Sequence, residues 1–136
     1  MKANELMLGD WVKSLKEDHS GEYAQVIDID HHDTVLLEYQ CVNYYTDVEH
    51  IEPIPITPEI LENNGFTHSF GDSDFYDYEE WEKKVDDKTI RVIKDCDGCF
   101  CRVDDDKLTH SMGIAPYVHI MQHIIRIGEI EKTIEL

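Results

Sequence analysis

Residues 89–103 read Thr-Ile-Arg-Val-Ile-Lys-Asp-Cys-Asp-Gly-Cys-Phe-Cys-Arg-Val. Residues 89–96 and 99–103 have the composition and alternation of two strands. Between them, Asp97-Gly98 is a strong two-residue hairpin signal, because both central positions of a type I′ turn need positive φ. With that pair as the loop, Cys96 faces Cys99, Lys94 faces Cys101, Val92 faces Val103 and Arg91 faces Asp104. Ile90, Val92, Cys96, Cys99, Cys101 and Val103 then share one largely apolar face. Residues 81–85 read as a further strand before the hairpin. The three make an antiparallel meander, ended by Asp104-Asp105-Asp106.

The meander needs a cover for its apolar face. Pro116 opens a helix over residues 117–127, and Gly128 closes it. Tyr117, Ile120, Met121, Ile124 and Ile127 form an apolar stripe at helical spacing, and His119, Gln122, His123 and Arg126 form the polar stripe. Residues 133–136 read as a short terminal strand. Upstream, Thr57 is an N-cap with Pro58 in the first helical position. That helix is short, because Gly65 is a left-handed stop behind which Phe66 can fold back. Residues 67–80 read as an acidic, aromatic loop running into a strand.

Residues 5–54 have a different texture. Short β-rich runs cover residues 11–12 onward, 24–29, 34–39, 41–45 and 48–51. In the second run Val26 and Asp28 share one face, and Gln25, Ile27 and Ile29 the other. Asp30-His31-His32-Asp33 is the hairpin loop between the second and third runs. Strands this short and this close together suggest a small barrel. The expected fold is therefore α+β. A small N-terminal SH3-like β-barrel (1–54) precedes a second part (55–136) holding a short helix, the antiparallel β-meander and a C-terminal amphipathic helix, with one core shared.

The chain has 136 residues, 30 Asp and Glu against 12 Lys and Arg, and a formal net charge of -18. Between Glu17 and Glu82 there is no Lys or Arg, and the 18 acids of that stretch carry the whole imbalance. Phosphate binding needs clustered Lys and Arg, so direct nucleic-acid binding is a poor fit. An anionic membrane surface is equally unsuited. No window approaches the ~20 apolar residues that span a bilayer. The first residues lack the features of a secretory or transit peptide, so the expected compartment is cytoplasmic, with reduced thiols.

One cluster has metal-ligand spacing. Cys96 and Cys99 on the hairpin, with His119 and His123 one helical turn apart, are the residues that would hold a tetrahedral zinc. The gap between the two halves is longer than a zinc finger's, and the Cys lie on the predicted core face, where a thiol is commonly a small hydrophobe. Asp30-His31-His32 resembles the metal-binding signature of a phosphoesterase family, but those enzymes need further motifs that this length cannot hold. Asp72, Asp74 and Asp77 lack the Gly and bidentate Glu of a calcium loop. No Gly-rich phosphate loop, nucleophile elbow or His-Glu-x2-His is present.

Three passages carry a family resemblance. They are Leu6-Met7-Leu8-Gly9-Asp10-Trp11-Val12, the central run from Ile51-Glu52-Pro53-Ile54-Pro55-Ile56-Thr57-Pro58 to Asn64-Gly65-Phe66, and Tyr117-Val118-His119-Ile120-Met121-Gln122-His123. In that order they resemble a family of small uncharacterised proteins from gut Bacteroidetes genomes and their phages or prophages. The resemblance implies a setting and no catalytic residue, and the Cys-x2-Cys hairpin is not part of its pattern. The expected function is non-enzymatic: an accessory protein of a phage or mobile element, meeting an unidentified, basic protein partner through an acidic face. The alternatives are a nucleic-acid-mimicking inhibitor of a DNA-binding protein, and a small zinc-binding protein or metal-dependent enzyme.

Overall fold

A computed structural model of the chain describes residues 1–30, 32–72, 77–95, 98–131 and 134–136, leaving aside the side chains of residues 70–72 and 77. The fold is α+β: antiparallel sheet, one part curled into a half-barrel, and two α-helices. The chain divides into two compact units, Met1–Pro55 with Leu136, and Ile56–Glu135. No helix of the described residues is long and apolar enough to cross a membrane.

The first unit holds β1 (Trp11–Ser14), β2 (Tyr23–Ile29), β3 (Thr34–Tyr39), β4 (Val42–Asp47) and β5 (Ile51–Glu52), in the sheet order β4-β3-β2-β1-β5. The Gly-Asp opening has a structural task. Asp10 is fully buried, and its carboxylate accepts the Met7 N–H at 2.7 Å, closing the turn into β1. The core gathers Leu6, Val12, Ala24, Val26, Val35, Leu37, Tyr44, Val48 and Ile51.

Three expectations change here. Val26 is buried but Asp28 is exposed, because a register shift between them breaks the strict alternation. Ile29 thereby returns to the core side. Cys41 is not in a strand: Gln40 and Cys41 have φ of 47° and 67°, which turns the chain tightly between β3 and β4 without a glycine. Residues 48–51 are not one strand either. Val48–His50 form a 3-10 turn that drops Val48 into the core before the two-residue β5 returns to β1.

The second unit begins with α1 (Pro58–Asn63). Thr57 Oγ1 accepts the Ile60 N–H at 3.3 Å, as an N-cap does. Past the C-cap Asn64, Gly65 takes φ 81°, its N–H reaches Glu62 O, and the Phe66 N–H reaches Leu61 O. Those two bonds are a Schellman closure, and Phe66 is buried as expected.

The sheet of this unit is β6 (Thr67–Asp72), β7 (Asp77–Val85), β8 (Lys88–Asp95), β9 (Gly98–Asp104) and β10 (Thr109–Ile114), in the order β10-β9-β8-β7-β6. Strands β6 and β10 were not legible in the sequence. Residues 133–136 differ in the other direction: 134–136 are not a strand, and Thr133 lies outside the described residues.

The β8–β9 pairing also differs. Lys94 faces Cys99, Val92 faces Cys101, Ile90 faces Val103 and Arg91 faces Arg102, with Asp95 opposite Gly98. The last pair of the ladder is therefore Asp95 with Gly98 and not Cys96 with Cys99, and Cys96 and Asp97 lie outside the described residues. That shift of register changes every partner but leaves each side chain on its face. Ile90, Val92, Cys99, Cys101 and Val103 are all buried together.

Helix α2 (Val118–Ile127) covers β9 and β10 with a face other than the expected one. Its buried residues are Val118, His119, Met121, Gln122, Ile124 and Ile125, while Ile127 is 69% exposed. His119 and Gln122 are thus core-side residues and not part of a solvated stripe.

Candidate functional site

The zinc candidates are distributed as follows. Cys99 is on β9 and buried; His119 is buried on α2; His123 is half-buried one turn later; Cys96 lies outside the described residues. The two imidazole rings stand edge to face with centroids 5.9 Å apart, and the Tyr117 ring is stacked with His119 at 6.0 Å. Among the described residues no three His, Cys, Asp or Glu side chains converge as a metal cage requires.

Burial governs the thiols. It pushes the Cys101 thiol up to about 12 and raises Cys99 as well, with the Lys94 ammonium working against it at Cys99. A thiol becomes nucleophilic only as thiolate. Cys41, exposed in its turn, should therefore be alkylated by iodoacetamide in the native protein, while Cys99 and Cys101 should react only on unfolding. Peptide mapping by mass spectrometry reads this directly. Rapid native labelling of Cys99 contradicts burial, and labelling of Cys99 that a chelator accelerates points to bound metal.

Ionic contacts in the second unit are largely internal. Arg91 meets Glu82 at 2.8 Å, Glu80 at 3.0 Å and Asp104 at 3.4 Å, and Arg102 meets Asp104 at 2.7 Å. Asp105 is held down to about 2 by the N–H groups of Lys107 and Leu108, with His110 at 2.6 Å adding to it. These carboxylates serve the sheet and its turn.

The first unit is arranged otherwise. Residues 1–55 contain twelve Asp and Glu but only Lys2, Lys13 and Lys16. Lys13 is taken by Glu52 at 3.0 Å, a partner that raises its pKa. The Lys16 ammonium donates to Tyr45 O at 2.8 Å and lies 5.6 Å from the Tyr44 ring centre. His19 stacks on that same ring at 3.8 Å and bonds Glu22 at 2.9 Å. Tyr44 is buried, and desolvation raises its phenol.

A groove of about 600 Å³ opens beside this cluster. Glu17 and Asp18 come from the 3-10 turn Glu17–His19, Asp47 from the end of β4, and His50 from the second 3-10 turn. The Leu15 N–H bonds His50 O at 2.7 Å, tying the two walls together. Thr46 forms the buried floor. Glu17, Asp18 and Asp47 are exposed and enter no ion pair among the described residues.

No protein-family model matches this chain, and no curated protein or solved structure does either. The site has to speak through its own chemistry. The groove offers carboxylates from one short turn and from the end of β4, a polar floor and one lysine already engaged by a carbonyl. That arrangement can receive a cationic side chain.

The groove was only half legible in the sequence. Its sign follows from the missing cations of residues 17–82. Its shape depends on two 3-10 turns that bring residues 17–18 beside residue 47, and neither turn has a sequence signature as strong as a capped helix.

Proposed function

We propose that this is a non-enzymatic protein-contact module whose first unit receives a basic segment of a partner protein in the groove between Glu17, Asp18 and Asp47. The observation that carries this reading is that these three carboxylates line an open groove without ion-pair partners among the described residues. The family resemblance supports the setting, an accessory protein of a phage or mobile element. The strand order of the first unit, with a 3-10 turn before a last strand returned to the first, supports the SH3-like barrel reading. The sequential order β6 to β10 supports the meander reading of the second.

Such a contact is steered by charge and screened by salt. Binding of a fluorescent Lys/Arg-rich peptide should weaken about tenfold between roughly 50 and 300 mM salt. The triple variant Glu17→Gln, Asp18→Asn, Asp47→Asn should lose most of the affinity. Asp86→Asn, Asp87→Asn, Asp106→Asn removes the same net charge from exposed positions in the second unit and should leave it nearly intact. Equal effects of the two triples would reduce the attraction to net charge alone and sink the groove.

A further inference from the structure

We propose that β10 of the second unit pairs antiparallel with β10 of a second copy of this chain. The strand is at one end of its sheet, and among the described residues it is paired with β9 on one side only. The Ala115 N–H bonds Cys99 O at 2.9 Å, which fixes the phase of the ladder. Counting back by twos, Gly113 opposite Cys101 turns its backbone groups toward β9. Met112 and Ile114 therefore turn their N–H and C=O groups away from it, toward the open edge.

The side chains at those two positions are apolar and exposed, Met112 at 61% and Ile114 at 75%. They stand on the sheet face opposite α2, where Ile114 continues a cross-strand row through Phe100 to Ile93. An edge with outward backbone groups and exposed apolar side chains is a template for another strand.

Charge selects the occupant. Residues 107–128 contain no Asp or Glu, in a chain with 30 of them. All the exposed large hydrophobics described in the second unit lie in that run: Leu108, Met112, Ile114, Tyr117 and Ile127. Two copies each carrying -18 repel over most of their surface. Pairing β10 with β10 brings together the one long segment free of carboxylates.

The register is self-complementary. A two-fold axis at Gly113 sets Met112 opposite the partner's Ile114, and Ile114 opposite the partner's Met112. Both pairs are of the hydrogen-bonded type, so the edge gains about four backbone bonds. The glycines meet at the narrower, non-hydrogen-bonded position, where the absence of a side chain allows close approach. The two sheets become one.

Sedimentation equilibrium of the full chain tests this. At roughly 100 µM and high salt the mass should approach twice 15.9 kDa. The dimer should weaken as salt is lowered, the reverse of the groove contact above. Ile114→Lys sets a cation in each cross-strand pair and should raise the dimer dissociation constant at least about tenfold. Ile114→Pro removes only an outward N–H and should do the same. Exposure at this position keeps both variants folded, and circular dichroism checks it. In the wild type, amide exchange at Met112 and Ile114 should slow as protein concentration rises. A wild type that stays monomeric at high salt overturns the proposal. So does a dimer that both substitutions leave unchanged, or one whose Met112 and Ile114 amides are not protected.

Discussion

Trp81→Ala should cost the second unit about 3–5 kcal/mol, the range for truncating a buried tryptophan. Trp81 is 2% exposed on β7, facing Val92 of β8 and His68 of β6, whose imidazole stacks on the indole at 4.3 Å. The row continues through Cys101 to Gly113, so the indole is the one large side chain in a line of small or medium ones. Its Nε1 has no hydrogen-bond partner among the described residues. That makes Trp81→Phe a sharper test, because the substitution removes a buried donor along with part of the ring. It should cost roughly 1–2 kcal/mol, well below the alanine variant. Urea unfolding followed by far-UV circular dichroism measures both. A loss under about 1 kcal/mol for Trp81→Ala would mean the core of this sheet lies elsewhere.

The β8–β9 hairpin shows which parts of such a core a sequence can announce. Alternation placed Ile90, Val92, Cys99, Cys101 and Val103 on one face, and that face is buried. The pairing was misplaced because Asp97-Gly98, as a strong turn signal, sets the expected register. Strand parity depends on whether positions are odd or even, and this shift of register preserves it. Burial of alternate residues was therefore robust where partner identity was not.

Helix α2 failed for a different reason. Val118, Ile120, Met121, Ile124, Ile125 and Ile127 leave two overlapping apolar arcs about 100° apart, and periodicity alone does not rank them. Packing on β9 and β10 selects the arc of Val118, Met121 and Ile125, and draws Gln122 in with it. Strand β10 was invisible because Thr-His-Ser-Met-Gly-Ile has neither alternation nor β-branched density; it is ordered by β9 and not by its own propensity. The edge position that hid it from the sequence is also what leaves its backbone open. The acidic groove stands between these cases. Its carboxylates were conspicuous as charge, but local turns set their convergence.

Gly128→Ala should destabilise by about 1–3 kcal/mol, the range for overpacking a core, and Gly128→Val by more. Gly128 closes α2, but not in the left-handed conformation common for such a glycine: its φ is -72°, and the left-handed residue is the next one, Glu129, at 63°. Gly128 is required for space. A Cβ there would stand 2.8 Å from Val103 Cβ and Cγ1 and 2.9 Å from Ser111 Oγ. Val103 is fully buried on β9, and Ser111 is held by a 2.6 Å bond to Ile124 O, so neither can yield cheaply. Gly113 supplies the contrast. A Cβ at Gly113 would meet only the end of the Ile124 side chain, at 3.2 Å, which a small rotation relieves. Gly113→Ala should therefore cost well under half as much as Gly128→Ala. Val103→Ala should recover only part of the Gly128→Ala loss, because the Val103 Cβ remains in the way. Equal costs at the two glycines in thermal melts would return Gly128 to a conformational role, and full rescue by Val103→Ala would place the clash on Cγ1 alone.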